Sequence, residues 1–207
     1  MGQDRGDKMT TIDPAMKQIL TIAILGALTL VGCRSTAEVL QIGEAADRNV
    51  GPCPRAFALY DAARIVEFRG GEQRFDNVGF TGEISKVTSL CRYVGDNPIT
   101  GDVNITFNLG RGPATEGQSE AVYQYWMAIT RKNIAVIDKQ TFPLRVTFPE
   151  GQDRISVTET IPDYEIARVT ETTSGENFEI IVGFEVTEAQ RAFNAEGRRF
   201  RVSAGQE

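Results

Sequence analysis

The sequence predicts an all-β fold, an antiparallel β-sandwich of about eight strands. Three observations point there. Apolar and polar residues alternate at period two through much of residues 56–186, which buries one sheet face and wets the other. Turn-rich stretches break the alternation at Arg69-Gly70-Gly71, Gly95-Asp96-Asn97-Pro98 and Ser174-Gly175-Glu176-Asn177. Convincing helical signal occurs only near the C-terminus. An immunoglobulin- or fibronectin-like sandwich is the preferred architecture, with strand topology left open.

Ala56–Phe68 reads as the first strand, bent or split, and Phe80–Tyr93 as the next. Val103, Ile105, Phe107 and Leu109 then alternate with Asp102, Asn104, Thr106 and Asn108. In Ala121–Thr130 both faces are apolar: Tyr123, Tyr125, Met127 and Ile129 share one, Val122, Trp126 and Ala128 the other. That pattern suits a central strand covered on both sides. Ile134–Lys139 reads as a separate short strand, followed by one carrying Phe142, Leu144, Val146 and Phe148. Pro143 lacks an amide donor, so the latter is expected at a sheet edge or with a bulge. Ile155–Ile161 and the run Phe178, Ile180, Val182, Phe184, Val186 complete the strands. Thr187-Glu-Ala-Gln forms a capping box that opens one short helix through Ala192 and Phe193.

Composition narrows the chemistry. The 207 residues carry 22 basic and 28 acidic side chains, a net charge of −6, and no histidine. Histidine-based triads, cysteine–histidine dyads and histidine metal centres are therefore excluded. The acidic balance argues against sequence-independent nucleic-acid binding, which needs clustered Lys and Arg. Enzymatic activity, a cofactor and a metal site are not expected.

The N-terminal third holds a targeting pattern. Met16–Cys33 reads MKQILTIAILGALTLVGC, with Lys17 as a positive start and a 13-residue apolar run from Ile19 to Val31. At 1.5 Å per residue that run spans about 20 Å, short of a bilayer core of roughly 30 Å, so it reads as a signal-peptide core. Leu30-Val31-Gly32-Cys33 resembles the lipobox of bacterial envelope lipoproteins. The resemblance implies cleavage by signal peptidase II between Gly32 and Cys33, with diacylglycerol on the Cys33 thiol and acylation of its new amino group. Two or three acyl chains anchor a protein stably where one does not. The alternative is a buried helix followed by an ordinary cysteine. Met1–Ala15 is polar and sits oddly before such a segment, which favours a start at Met16. Removal of residues 1–32 leaves 175 residues at unchanged net charge. Arg34 after the cysteine leans toward the outer membrane's periplasmic leaflet rather than inner-membrane retention. The region from Tyr123 through Phe193 also resembles uncharacterised alphaproteobacterial lipoproteins, a likeness that implies no activity.

The expected organisation is a signal peptide over 1–32, a lipidated N-terminus and tether over 33–52, and the sandwich over 53–207. Val39, Leu40 and Ile42 of the tether are candidates for docking on the domain. Cys53 and Cys91, 38 residues apart, are read as one disulfide of an exported chain. Two buried thiols or a redox pair are the alternatives, the latter disfavoured without a C-x-x-C.

Candidate binding residues are few. Arg111 opens the Gly-rich stretch 110–120, where a phosphate or carboxylate could pair with it; no Gly-Lys-Ser/Thr follows, so a mobile connection is the plainer reading. Tyr123 and Tyr125 are the best interface candidates, although core packing accounts for them more simply. Glu150, Asp153, Glu159, Asp163 and Glu165 cluster loosely without glycosidase or calcium-loop spacing. Asn104-Ile105-Thr106 matches a glycosylation sequon inside a strand and is discounted. Arg198, Arg199 and Arg201 form a small basic tail for which anionic headgroups are a conceivable partner. The leading expectation is a non-catalytic, lipid-anchored periplasmic protein that binds or scaffolds another cell-envelope component, with an envelope protein as the expected partner. An envelope carbohydrate-binding or carbohydrate-cleaving domain is the alternative.

Overall fold

The computed structural model describes residues 49, 51–70 and 72–198. The signal segment, Gly32, the acylation candidate Cys33, Val39, Leu40, Ile42, Arg199 and Arg201 lie outside them. The chain divides into two units at Asp47/Arg48, and the second is the sandwich.

Eight strands form two four-stranded sheets, in the orders β1-β8-β5-β6 and β2-β3-β4-β7. The strands are β1 Arg55–Ala58, β2 Arg64–Phe68, β3 Val78–Arg92, β4 Ile99–Arg111, β5 Glu120–Arg131, β6 Ala135–Thr147, β7 Arg154–Ile166 and β8 Phe178–Phe184, with helix α1 at Glu188–Ala195. The all-β sandwich is as the periodicity predicts. Its likeness to immunoglobulin and fibronectin domains is architectural, since the strand order differs from the ABED and CFG sheets of immunoglobulins. One pairing is parallel: β1 runs alongside β8, with Arg55 opposite Glu179 and Ala58 opposite Val182.

The expected first strand is split, because Leu59–Ala63 turns through a short 3₁₀ segment and passes the chain from one sheet to the other. Ile134–Lys139 and Phe142–Phe148, expected as separate strands, merge into the single strand β6, with Ile134 in the preceding turn and Phe148 just past its end. Both halves carry apolar residues at even positions, but an irregularity opposite Ile129/Thr130 turns Val136 outward while Phe142, Leu144 and Val146 face the core. β6 lies at a sheet edge, where the missing amide of Pro143 costs no ladder bond.

The core lies between the sheets. Phe107 of β4 stacks at a tilt against Tyr125 and Phe184 of the opposite sheet, with ring centroids 5.0 and 5.7 Å apart. Ile105, Val103, Ile180 and Val182 fill the space around them without solvent exposure. Gly82 and Gly183 are positions where any side chain collides: a Cβ at Gly183 would stand 2.6 Å from the Trp126 ring and 2.7 Å from Ala62. The two sheets are joined at one end by the Cys53–Cys91 disulfide.

Candidate functional site

The end of the chain folds back onto the outer face of β2. Thr187 Oγ1 accepts from Gln190 N at 3.2 Å, and Gln190 Oε1 accepts from Thr187 N at 2.9 Å, so the predicted capping box starts α1. Phe193 of the helix packs on Val66, Val78 and Phe68, forming a small apolar cluster separate from the main core. Two amides then cover the open edge of β2. Asn194 Nδ2 donates to the carbonyls of Asp61 and Arg64, each at 2.8 Å, and Gln190 Nε2 donates to that of Val66 at 3.0 Å. An edge strand left bare would invite pairing with another chain, and this helix prevents that on β2.

The same helix becomes the wall of a groove of about 460 Å³ on the outer face of the β2-β3-β4-β7 sheet. That volume falls in the range of small-ligand and peptide-anchor sites. Strand register builds the floor in two rows. Arg64 lies opposite Glu83, Glu83 opposite Asn108, and Asn108 opposite Ser156; Val66, Thr81, Gly110 and Arg154 form the parallel row. Asn194 and Arg198 close the helical side.

Three arginines and one carboxylate line this groove, on a chain whose net charge is −6. Their guanidinium groups are engaged very differently. Arg198 is held by Glu196 and Gln73. Arg154 is exposed, with no side-chain partner among the described residues. Arg64 sits over the Tyr60 ring at 5.1 Å, and its Nε and Nη2 are shielded from water yet donate to no acceptor. Glu83, directly across the ladder, does not reach it as an ion pair. A shielded, uncompensated charge is costly, and an anion entering beside it would regain the lost interaction.

The residues singled out from the sequence have other roles. Tyr123 and Tyr125 are 4% and 3% exposed, so both rings belong to the core and neither can meet a partner. Tyr123 donates to the carbonyl of Thr81 at 3.0 Å, tying the sheets together. Burial, with Glu67 adding to it, pushes the Tyr123 phenol well up; burial and then Glu159 push that of Tyr125 up to about 12. Both therefore stay protonated at neutral pH. Arg111 is engaged within the fold: its Nε and Nη2 bond Asp153 Oδ1 at 3.0 and 2.8 Å, and its guanidinium lies over Phe148. The Gly-rich stretch beyond it is folded rather than a loose connection. Arg69 grips the Ala114 carbonyl and Gln118, and Thr115 is buried with its hydroxyl on the Gly112 carbonyl.

The acidic residues 150–165 do not converge. Asp153 is bound to Arg111, Glu159 points between the sheets near Tyr125, and Glu165 stands opposite Thr100 on β4. Among the described residues, no group of three or more acidic or cysteine side chains could hold a metal ion. Asn104 accepts from Thr160 at 2.7 Å within the sheet. Cys53 and Cys91 are bonded, with Cα atoms 5.6 Å apart.

Sequence reasoning missed Arg64, Glu83, Arg154 and Asn194. A charged residue inside an apolar strand was the available signal for Arg64; the others become neighbours only through the register. No protein-family model matches the chain, and no curated protein is similar to it.

Proposed function

We propose that this chain is a lipid-anchored protein of the bacterial cell envelope that binds, without catalysis, an acidic segment of another envelope protein. The anchor rests on the lipobox-like Leu30-Val31-Gly32-Cys33 and on the disulfide, which suits an oxidising compartment. The binding role rests on one observation: the groove is lined by three arginines against one carboxylate, on a chain of the opposite net charge. Guanidinium groups suit carboxylates because their planar donor fork matches two oxygens. Asn108, Ser156 and Thr81 add neutral hydrogen-bonding groups along the same floor.

Two experiments test the reading. Palmitate labelling of wild type, lost in Cys33→Ala, with a mature mass matching residues 33–207 plus acyl chains, is expected. An unlabelled full-length product would remove the anchor and the envelope setting with it. For the groove, a short fluorescent glutamate-rich peptide is titrated onto wild type and Arg64→Met. Methionine fills similar space without charge, so stability is expected to hold or rise while affinity falls tenfold or more, about 1.4 kcal/mol. Equal affinity of the two proteins would sink the acidic-partner reading.

A further inference from the structure

Nine large hydrophobic residues are exposed among the described residues, and five of them, Leu90, Ile134, Val136, Ile137 and Val169, gather at one end. The register fixes this: Arg131 pairs with Phe178 and with Ala135, Ile99 pairs with Ile166, and Arg92 with Thr100. The β5–β6 hairpin carries three of the five. Ile134 N donates to the Arg131 carbonyl at 3.0 Å and Asn133 takes φ 58°, a tight reversal that presents Ile134, Val136 and Ile137 at 69, 62 and 53% exposure. β-Branched side chains on a closed hairpin lose little freedom when they insert into another phase. Arg131 and Lys132 sit at the turn, whereas Lys139 further along β6 is paired with Glu185 at 3.4 Å and lies over the Trp126 ring.

The same end receives the chain from its N-terminal side. Asn49 bonds the Cys91 carbonyl and the Tyr93 amide, Tyr93 Oη bonds the Pro52 carbonyl and the Gly175 amide, and Lys132 N donates to the carbonyl of Asn177. Disulfide, hairpin turn and the start of β1 are thus neighbours. Only 15 residues lie between Cys33 and Asn49, so at most about 55 Å of chain joins them.

We propose that this end faces the bilayer and that the β5–β6 hairpin inserts Ile134, Val136 and Ile137 into the lipid interface, with Arg131 and Lys132 at anionic headgroups. The inference rests on the reading of Cys33 as acylated. Once acyl chains hold the domain at the surface, hairpin contact is intramolecular, and a contact too weak to recruit a free protein suffices to orient a tethered one. Orientation then leaves the Arg64 groove, on the flank of the sandwich, open to the periplasm.

The test uses the acylated full chain in phosphatidylethanolamine–phosphatidylglycerol vesicles carrying a nitroxide lipid. Val136→Cys and, at the opposite end, Gly117→Cys each receive a fluorescent label; Cys53 and Cys91 are bonded and Cys33 carries lipid. Flotation first reports whether the chain is anchored. Lipid-borne quenching at least threefold greater at position 136 than at 117 is expected, and it should fall to the level of 117 when Ile134 and Ile137 are both changed to Asp. Flotation with equal quenching at the two positions overturns the hairpin proposal and leaves the anchor standing. Protection of position 136 from an aqueous quencher without lipid-borne quenching overturns it in favour of a second copy covering the tip. Failure to float overturns both.

Discussion

Breaking the Cys53–Cys91 bond, by reduction or by Cys91→Ser, is expected to lower unfolding stability by about 4 kcal/mol. The bond closes a 38-residue loop that contains β1, β2 and most of β3, and it links the lead-in to one sheet with a strand of the other. In the unfolded chain that closure removes conformational freedom, and the native state gains by comparison. The local consequence should be uneven. β1 has four residues and a single ladder partner, β8, so it depends on the Pro52–Pro54 lead-in that the disulfide and Tyr93 hold in place. Amide exchange should therefore rise first at Arg55–Ala58, before the central strands β4 and β5 respond. Denaturant unfolding with and without reductant at fixed pH measures the global term. A change below about 1 kcal/mol would mean that the reduced unfolded chain already keeps these segments together.

Strands were legible in the sequence because period two is a local property. Phe107 declares its face through Ile105 and Leu109, and Tyr125 through Tyr123 and Met127, without knowledge of the partner strand. The helix was legible for the same reason, since Thr187 and Gln190 are three residues apart and satisfy each other. What depends on pairing was hidden. The parallel contact of β1 with β8 joins residues more than 120 positions apart. The fusion of two predicted strands into β6 follows from an irregularity opposite Ile129/Thr130 that no composition signals. The groove is the extreme case: Arg64, Glu83, Asn108 and Ser156 are ordinary residues of four amphipathic strands until the ladder aligns them in one row. Arg111 shows the converse. A lone arginine beside glycines invites a ligand, but Asp153 reaches it across the end of the sheet and accepts from its Nε and Nη2.

Asn194→Ala is expected to cost about 2–4 kcal/mol and to disable the groove at the same time. Asn194 is 1% exposed, and its amide is the hydrogen-bond donor from the helix to both the Asp61 and Arg64 carbonyls. Alanine leaves two shielded acceptors without donors, each worth roughly 1–3 kcal/mol when stranded, and part of that cost is recovered if the helix lifts and water enters. Gln190→Ala should cost less, since it removes one bond to the Val66 carbonyl and half of the capping box from a more accessible site. The ranking matters more than either value. If α1 were a passive appendage, helical signal would vanish in Asn194→Ala while thermal unfolding of the sandwich and peptide affinity stayed at wild-type levels. If α1 builds the groove, peptide affinity falls together with the helical signal, because the Arg64 carbonyl accepts from Asn194 of the helix while its side chain lines the groove. The residue that holds the helix and the residue that offers the charge share one side-chain-to-backbone hydrogen bond, so the site cannot be kept while the edge of β2 is uncovered.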